Sequence, residues 1–221
     1  MLDGESASYD LGTEVQPISS ADRSYFKENI SRGDILRYLR KEFTGEIEQM
    51  PPKYSALKVD GKRALDRVRQ GEEFDLKART IQIDAIELLD YEYPRADLRA
   101  VVGPGTYIRS IAHDLGALIG SGGYVTFLRR TALANVSVDM AQQLDDFVAE
   151  KTLEISKLFS PEKYVSLSPE DQWRADNGLP IATIEEYIEG EYYFVIQELG
   201  ITNVLQYVEG SLKPVRKLNI G

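Results

Sequence analysis

The chain of 221 residues has no cysteine, a single histidine and a single tryptophan. Without cysteine there are no disulfides and no thiolate zinc sites, and one histidine leaves little from which to build a histidine metal centre. No apolar run approaches the roughly 18 residues of a membrane span, and no basic-then-apolar leader opens the sequence. We therefore expect a cytoplasmic protein without a metal or a membrane partner. Hydrophobic content of 43% and charged content of 28% are ordinary for a globular chain. The length suffices for one good core and a small appendage.

Positive charge is also in deficit, with 26 Lys and Arg against 36 Asp and Glu and a net charge of −10. Such a balance argues against a polyanionic partner. The deficit is uneven, however. Residues 51–80 carry 8 basic and 5 acidic side chains, residues 101–135 carry 3 and 1, and residues 136–221 hold 15 acidic and 7 basic. A local basic face on an acidic protein is compatible with this distribution.

The segment Leu98–Gly116 changes periodicity within a few residues. Leu98, Ala100 and Val102 alternate with Arg99 and Val101 as in a half-buried strand, which Gly103-Pro104-Gly105 breaks. Ile108, Ile111, Ala112, Leu115, Leu118 and Ile119 then mark one face of a helix. Tyr107 and Arg109 thus stand where a strand gives way to a helix, a place where functional side chains are often presented. Arg109 is the first candidate functional residue. From these residues alone it reads equally well as a guanidinium paired with a nearby carboxylate.

Upstream, Met1–Ser20 lacks a strong period and reads as turns with short extended pieces. Ser31–Gly45 predicts a helix with Ile35, Leu36, Leu39 and Phe43 on one face, Ser31 or Asp34 as its cap and Gly45 as its stop. Pro51-Pro52 forces extended chain. Val59-Asp60-Gly61-Lys62 predicts a tight hairpin, followed by a short helix ending at Gly71. Lys53, Lys58, Lys62 and Arg63, with Tyr54 among them, form a basic strip carrying an aromatic, suited to phosphates and a stacked base or, equally, to a solvated loop. Thr80–Tyr93 predicts a strand whose phase shifts at Ile86 and Leu88, as at a bulge, with Asp97–Val102 as its antiparallel neighbour.

Downstream, Gly120-Ser121-Gly122-Gly123 reads as a flexible turn leading into Tyr124–Thr131. Met140–Phe159 predicts an acidic amphipathic helix with Leu144, Phe147, Val148, Ile155, Leu158 and Phe159 on one face. From Ser160 prolines punctuate the chain. Tyr192–Leu199, Asn203–Val208 and Lys213–Asn219 read as short strands of a small β-rich domain.

Three of these stretches carry a resemblance. GTYIRSIAHDLG, from Gly105 to Gly116, resembles the GTYIR motif of the TruB family of pseudouridine synthases. Gly45–Arg63 resembles the family's GEIEQ-PP-YSALK-GKR signature, and Gly122–Thr131 its G-G-x-hydrophobic-x-x-LRRT segment. The resemblance is strong over about residues 45–131, loose over 1–44 and slight over 160–221. It implies an α+β fold with a mixed, largely antiparallel sheet and flanking helices over residues 1–159. Residues 160–221 would then form a small β-rich, PUA-like domain. The implied reaction is isomerisation of uridine to pseudouridine in the T-loop of transfer RNA. It implies no cofactor, the tRNA T-arm as partner and a monomer.

The resemblance also assigns residues. Arg109 becomes the partner of the catalytic carboxylate, Tyr107 a substrate-contacting residue and Leu128 the apolar floor beneath the target base, where an ordinary core leucine is the alternative. Lys53, Tyr54, Lys58, Lys62, Arg63, Arg129 and Arg130 become RNA-facing, and Asp10, grouped with them, matches the acidic residue of an LG-x-x-[ST]-x-[ST]-x-D-x-x-G segment. His113 receives no role and is expected to be exposed or on a helix face. The family's nucleophile motif, G-x-LD-P-x-A-x-G, is not found in these residues. Leu2-Asp3 imitates two letters of it but lacks its Pro and Gly. On this reading the family's N-terminal part precedes Met1 and the chain alone is inactive. Asp3 as nucleophile of a shortened enzyme, or a catalytically inactive tRNA-binding or folding module, are the alternatives.

Overall fold

A computed structural model describes residues 1–148, 153, 155–183, 186–197 and 200–218. It divides into two compact units, Met1–Leu128 and Arg129–Gly221. The first opens with an antiparallel hairpin of β1 (Gly4–Ser6) and β2 (Val15–Pro17). Helices α1 (Ser20–Asn29) and α2 (Arg32–Glu42) follow. Then come β3 (Gly45–Gln49), the small hairpin β4 (Lys58–Val59) and β5 (Lys62–Arg63), and the short α3 (Ala64–Arg69). The long strands β6 (Arg79–Glu92) and β7 (Arg95–Val102) lead to α4 (Ile108–Ile119).

The sheet order is β3-β6-β7, antiparallel throughout. Strand β6 carries two register shifts, between Ile83 and Ala85 and between Leu88 and Asp90. The change of phase read near Ile86 and Leu88 therefore reflects two bulges. Helix α2 sits where its sequence pattern placed it, and both cap candidates act. The Ser31 side chain accepts from the Asp34 N–H, and the Asp34 carboxylate accepts from the Ser31 N–H at 2.9 Å. This reciprocal box satisfies two otherwise orphan donors. Ile35 and Leu39 of α2, Phe43 at its C-terminal cap, and Ile111 and Leu115 of α4 close a core with Ile81, Ile83 and Leu88 of β6.

Helix α1 was not foreseen, and it buries no residue fully. The turn at 120–123 is not flexible filler either. Ser121, Gly122 and Gly123 are buried, and Gly120 ends α4 in the left-handed conformation at φ 85°.

The second unit begins with β8 (Ala132–Leu133) and β9 (Val136–Ser137), a two-stranded hairpin. The helix expected over 140–159 does not form in the described residues. Val138–Met140, Leu144–Asp146 and Ile155–Leu158 are separate 3-10 turns, while residues 149–152 and 154 lie outside the description. Local polar bonds win here: the Gln142 amide bridges both backbone groups of Val148, accepting from its N–H at 2.9 Å and donating to its carbonyl at 3.0 Å. Leu144, expected on a buried face, is 90% exposed.

Beyond these turns, β10 (Tyr164–Val165), α5 (Pro169–Asp176), β11 (Ile181–Ala182), β12 (Tyr192–Gln197), β13 (Gly200–Val208) and β14 (Ser211–Lys217) complete the chain. The sheet order is β10-β12-β13-β14-β11, with β10 and β12 parallel and the other pairs antiparallel. Val165, Ala175, Ile181, Tyr193, Val195, Leu205 and Leu212 form its own core. No helix among the described residues is long and apolar enough to cross a membrane.

Candidate active site

Helix α4 begins without a side-chain cap, and the amide of buried Gln49 takes that place. Its Oε1 accepts from the Tyr107 N–H at 2.8 Å and its Nε2 donates to the Tyr107 carbonyl at 3.1 Å. One turn of this arrangement is reinforced by Ser110, whose hydroxyl donates to the Met50 carbonyl at 2.8 Å. The end of β3 thus fixes the start of α4. Gln49 and Ser110 are letters of the two motifs, and nothing in their spacing shows that each joins one motif to the other.

Arg109 projects from the first turn of α4 into three acceptors. Its Nη1 donates to the Ser8 carbonyl at 2.9 Å and to Asp10 Oδ2 at 3.0 Å, and its Nη2 donates to the Tyr54 carbonyl at 3.0 Å. The guanidinium therefore ties the β1–β2 hairpin loop and the 51–63 segment to α4. Three of its five N–H donors are engaged. The Nε–H and one Nη2–H have no partner among the described residues.

Asp10 is built as a fixed counter-ion. Its Oδ1 accepts from the Ser8 hydroxyl at 2.6 Å and from the Gly12 N–H at 2.8 Å, while Oδ2 takes Arg109. Burial pushes its carboxyl up, but the Ser8 hydroxyl, the Gly12 N–H and Arg109 together outweigh burial and hold it below its usual range. A carboxyl depressed in the native state stabilises the fold above its unfolded value and loses that contribution only as pH falls through the lower native one. The pair therefore persists to lower pH than an exposed aspartate stays ionised.

Residues 5–108 match the family model described as "TruB family pseudouridylate synthase (N terminal domain)", and residues 109–162 that described as "tRNA pseudouridylate synthase B C-terminal domain". The chain belongs to the TruB family. The TruB relatives include the tRNA pseudouridine synthase B of Parabacteroides distasonis, 39% identical over 153 residues, covering 68% of this chain and 62% of the relative. That of Phocaeicola vulgatus is 40% identical over 146 residues (66% and 59%), and that of Paracoccus denitrificans 35% identical over 195 residues (84% and 65%). This chain thus spans less than two thirds of the length of each. Among solved structures, a chain in a Cbf5–Nop10–Gar1 complex matches with a TM-score of 0.58 at 21% identity, covering 86% of this chain and 62% of that one. The TruB fold is what this likeness carries.

The other residues assigned by the TruB resemblance differ in their surroundings. Tyr107 is half-buried beside Arg109 in sequence, with its backbone held by Gln49. Leu128 is 58% exposed, which removes the reading of an ordinary core leucine. Arg129 and Arg130 are exposed and begin the second unit. In the basic strip Lys62 pairs with Glu72 at 2.9 Å, and Lys53 lies over the Phe74 ring. Lys58 and Arg63 face each other across the β4–β5 hairpin without an ion pair among the described residues. Like charges opposed on a ladder repel, so this hairpin is suited to an anion.

Asp3, the alternative nucleophile, is buried, pairs with Arg23 at 3.1 Å and accepts from the Tyr124 hydroxyl at 3.4 Å. No hydrogen bond or ion pair joins it to Arg109. His113 lies on a face of α4, one of the two placements expected, and it is half-buried and not exposed: it stacks on Tyr9 with ring centroids 3.9 Å apart and planes 9° from parallel. Among the described residues no cluster of His, Asp and Glu is placed to hold a metal ion.

Next to His113, burial holds the Asp114 carboxyl above its usual range, with His113 opposing the shift. A carboxyl raised in the native state costs stability once ionised, so the cost is absent below its unfolded value of about 4 and complete above the raised native value. Asp114→Asn is accordingly expected to raise the unfolding temperature by a few degrees at pH 7 and to leave it unchanged near pH 3. Thermal melts at the two pH values check this.

Proposed function

We propose that this chain supplies the arginine-bearing side of an active site that isomerises uridine to pseudouridine in the T-loop of tRNA. The observation that carries the reading is the divided use of Arg109. One set of its donors is saturated by Asp10, Ser8 and Tyr54, which fixes the guanidinium in place. The two remaining donors match what one further carboxylate accepts. Making pseudouridine requires a carboxylate at the sugar, kept ionised and aimed while the N-glycosidic bond breaks, the base turns and a carbon–carbon bond forms. Arg109 serves that carboxylate.

Asp10 itself is a poor nucleophile, because both of its oxygens are already committed to partners inside the fold. Asp3 is engaged with Arg23 and Tyr124 and makes no bond to Arg109. On this reading neither aspartate is the nucleophile, and Arg109 serves the carboxylate of the family's G-x-LD-P-x-A-x-G motif. The base leaves its stack at a cost of a few kcal/mol and is received by Tyr107 and by exposed Leu128. The Lys58–Arg63 hairpin, with Lys53, Tyr54, Lys62, Arg129 and Arg130, contacts the T-arm backbone.

Pseudouridine formation in an unmodified tRNA transcript tests this, with the chain alone and with a TruB fragment carrying the G-x-LD-P-x-A-x-G motif. Turnover is expected only in the mixture. Turnover by the chain alone would place the nucleophile within it. Silence from a mixture shown to associate and to bind tRNA would leave a binding or folding module.

A further inference from the structure

His113 lies one helical turn beyond Arg109 on α4, so the two side chains share a helix face. Arg109 takes Ser8 and Asp10 by hydrogen bonds, and His113 takes the residue between them, Tyr9, by its ring. Tyr9 is the residue that the loop holds under strain. Its φ of 62° is in the left-handed region, which a side chain of this size rarely adopts. The backbone around it is tied on both sides: its N–H donates to the Ser6 carbonyl at 3.1 Å, and its carbonyl accepts from Val125 at 2.9 Å. That left-handed residue turns the chain so that the Ser8 carbonyl and the Asp10 carboxylate both converge on one guanidinium nitrogen.

The imidazole contributes a flat surface and no hydrogen bond from its buried nitrogen. Nδ1 has no partner among the described residues. A ring that leaves a buried polar atom unpaired but lies face to face on an aromatic neighbour is acting through its shape.

We propose that His113 is a positioning residue: its ring seats strained Tyr9 and thereby sets Ser8 and Asp10 on Arg109. This rests on the reading of Arg109 given above, and it adds a residue that the motif alone leaves without a role. It predicts that an aromatic hydrocarbon ring replaces histidine and that an aliphatic chain does not.

As the chain's single histidine, His113 gives isolated ring-proton signals. In the intact chain these are expected to be shifted upfield by the Tyr9 ring and to lose that shift in Tyr9→Leu. Carbon-detected titration of the Asp10 carboxyl then reads the clamp directly. Its midpoint is expected to stay low in the wild type and in His113→Phe, and to rise toward the ordinary aspartate range in His113→Ala and His113→Leu. In the mixture that forms pseudouridine, the same two aliphatic variants are expected to lose on the order of tenfold to a hundredfold in single-turnover rate. Their tRNA affinity is expected to be unchanged, and the phenylalanine variant to keep the rate.

If His113→Ala fails to fold, the comparison of His113→Leu with His113→Phe decides. An Asp10 titration that is the same in the leucine variant and the wild type would overturn the proposal, as would loss of the clamp in the phenylalanine variant. A mixture without turnover would instead count against the proposed reaction, and the carboxyl titration would still judge the role of His113.

Discussion

Arg109→Lys is expected to lower the rate of pseudouridine formation in the complemented assay on the order of a hundredfold or more, although the charge is kept. The reason is geometric. Arg109 reaches Ser8 and Asp10 with one nitrogen and Tyr54 with the other, and on the proposed reading its two remaining donors, on the same planar group, serve a second carboxylate. A lysine ammonium is a single point with three donors, so meeting the same acceptors leaves nothing aimed at the reacting aspartate. The same substitution is expected to cost roughly 2 kcal/mol of stability through lost charge-assisted hydrogen bonds. Arg109→Ala costs more, because Asp10 is then left without its counter-ion. Single-turnover rates and thermal melts of both variants check this, and the Asp10→Ala/Arg109→Ala cycle gives the coupling. Equal activity of the lysine variant would remove the two-carboxylate role.

The second large effect lies at the other end of α4. Gly116→Ala is expected to destabilise the protein by about 3 kcal/mol or more, a drop of roughly 10 °C in unfolding temperature. A Cβ on Gly116 would stand 2.1 Å from the Gly122 carbonyl carbon and 2.2 Å from the Gly123 nitrogen. These are backbone atoms of a buried return loop, and that loop is anchored to the helix it crosses by the Ser121 N–H donating to the Gly116 carbonyl at 3.0 Å. Neither side can yield by turning a side chain. Gly122 in turn lies against the Gly4 backbone, where the hairpin leading to Ser8 and Asp10 begins. Displacing the loop therefore also disturbs the Arg109 clamp. Gly33→Ala is the control: it also lies within a helix, yet its added methyl group meets only the Ser31 hydroxyl at 3.5 Å. By helix propensity alone it should be neutral or stabilising by up to about 1 kcal/mol. If both alanines behave alike, backbone contact at Gly116 is not what the glycine is for.

Much of the first unit was legible because its signals are local. The 3.6-residue period and the Ser31–Asp34 box place α2 within two residues. The alternation in β7, its break at 103–105 and the new period from Ile108 place α4. Helix α1 was missed because it buries nothing fully and so carries little periodic pattern. Helix α5 was also missed, although Ser168 followed by Pro169, Glu170 and Asp171 is a helix-start pattern. Ser168 does cap it, accepting from the Asp171 N–H at 3.1 Å. The expected helix at 140–159 shows the opposite error: an apolar stripe at the right spacing, undone by the Gln142–Val148 bonds of a single loop.

By itself, the sequence determined the family. Motifs such as GTYIR and GEIEQ-PP-YSALK are contiguous, and each names its own members. Tertiary structure alone decided what those members touch. Arg109 meets Tyr54 across 55 residues, Asp10 across 99 and Ser8 across 101. Gln49 caps Tyr107 from 58 residues away. Periodicity records which face of an element is buried, but not which distant loop is turned onto it. That turn is made by a left-handed tyrosine stacked on a histidine, and neither residue's type announces its conformation or its neighbour.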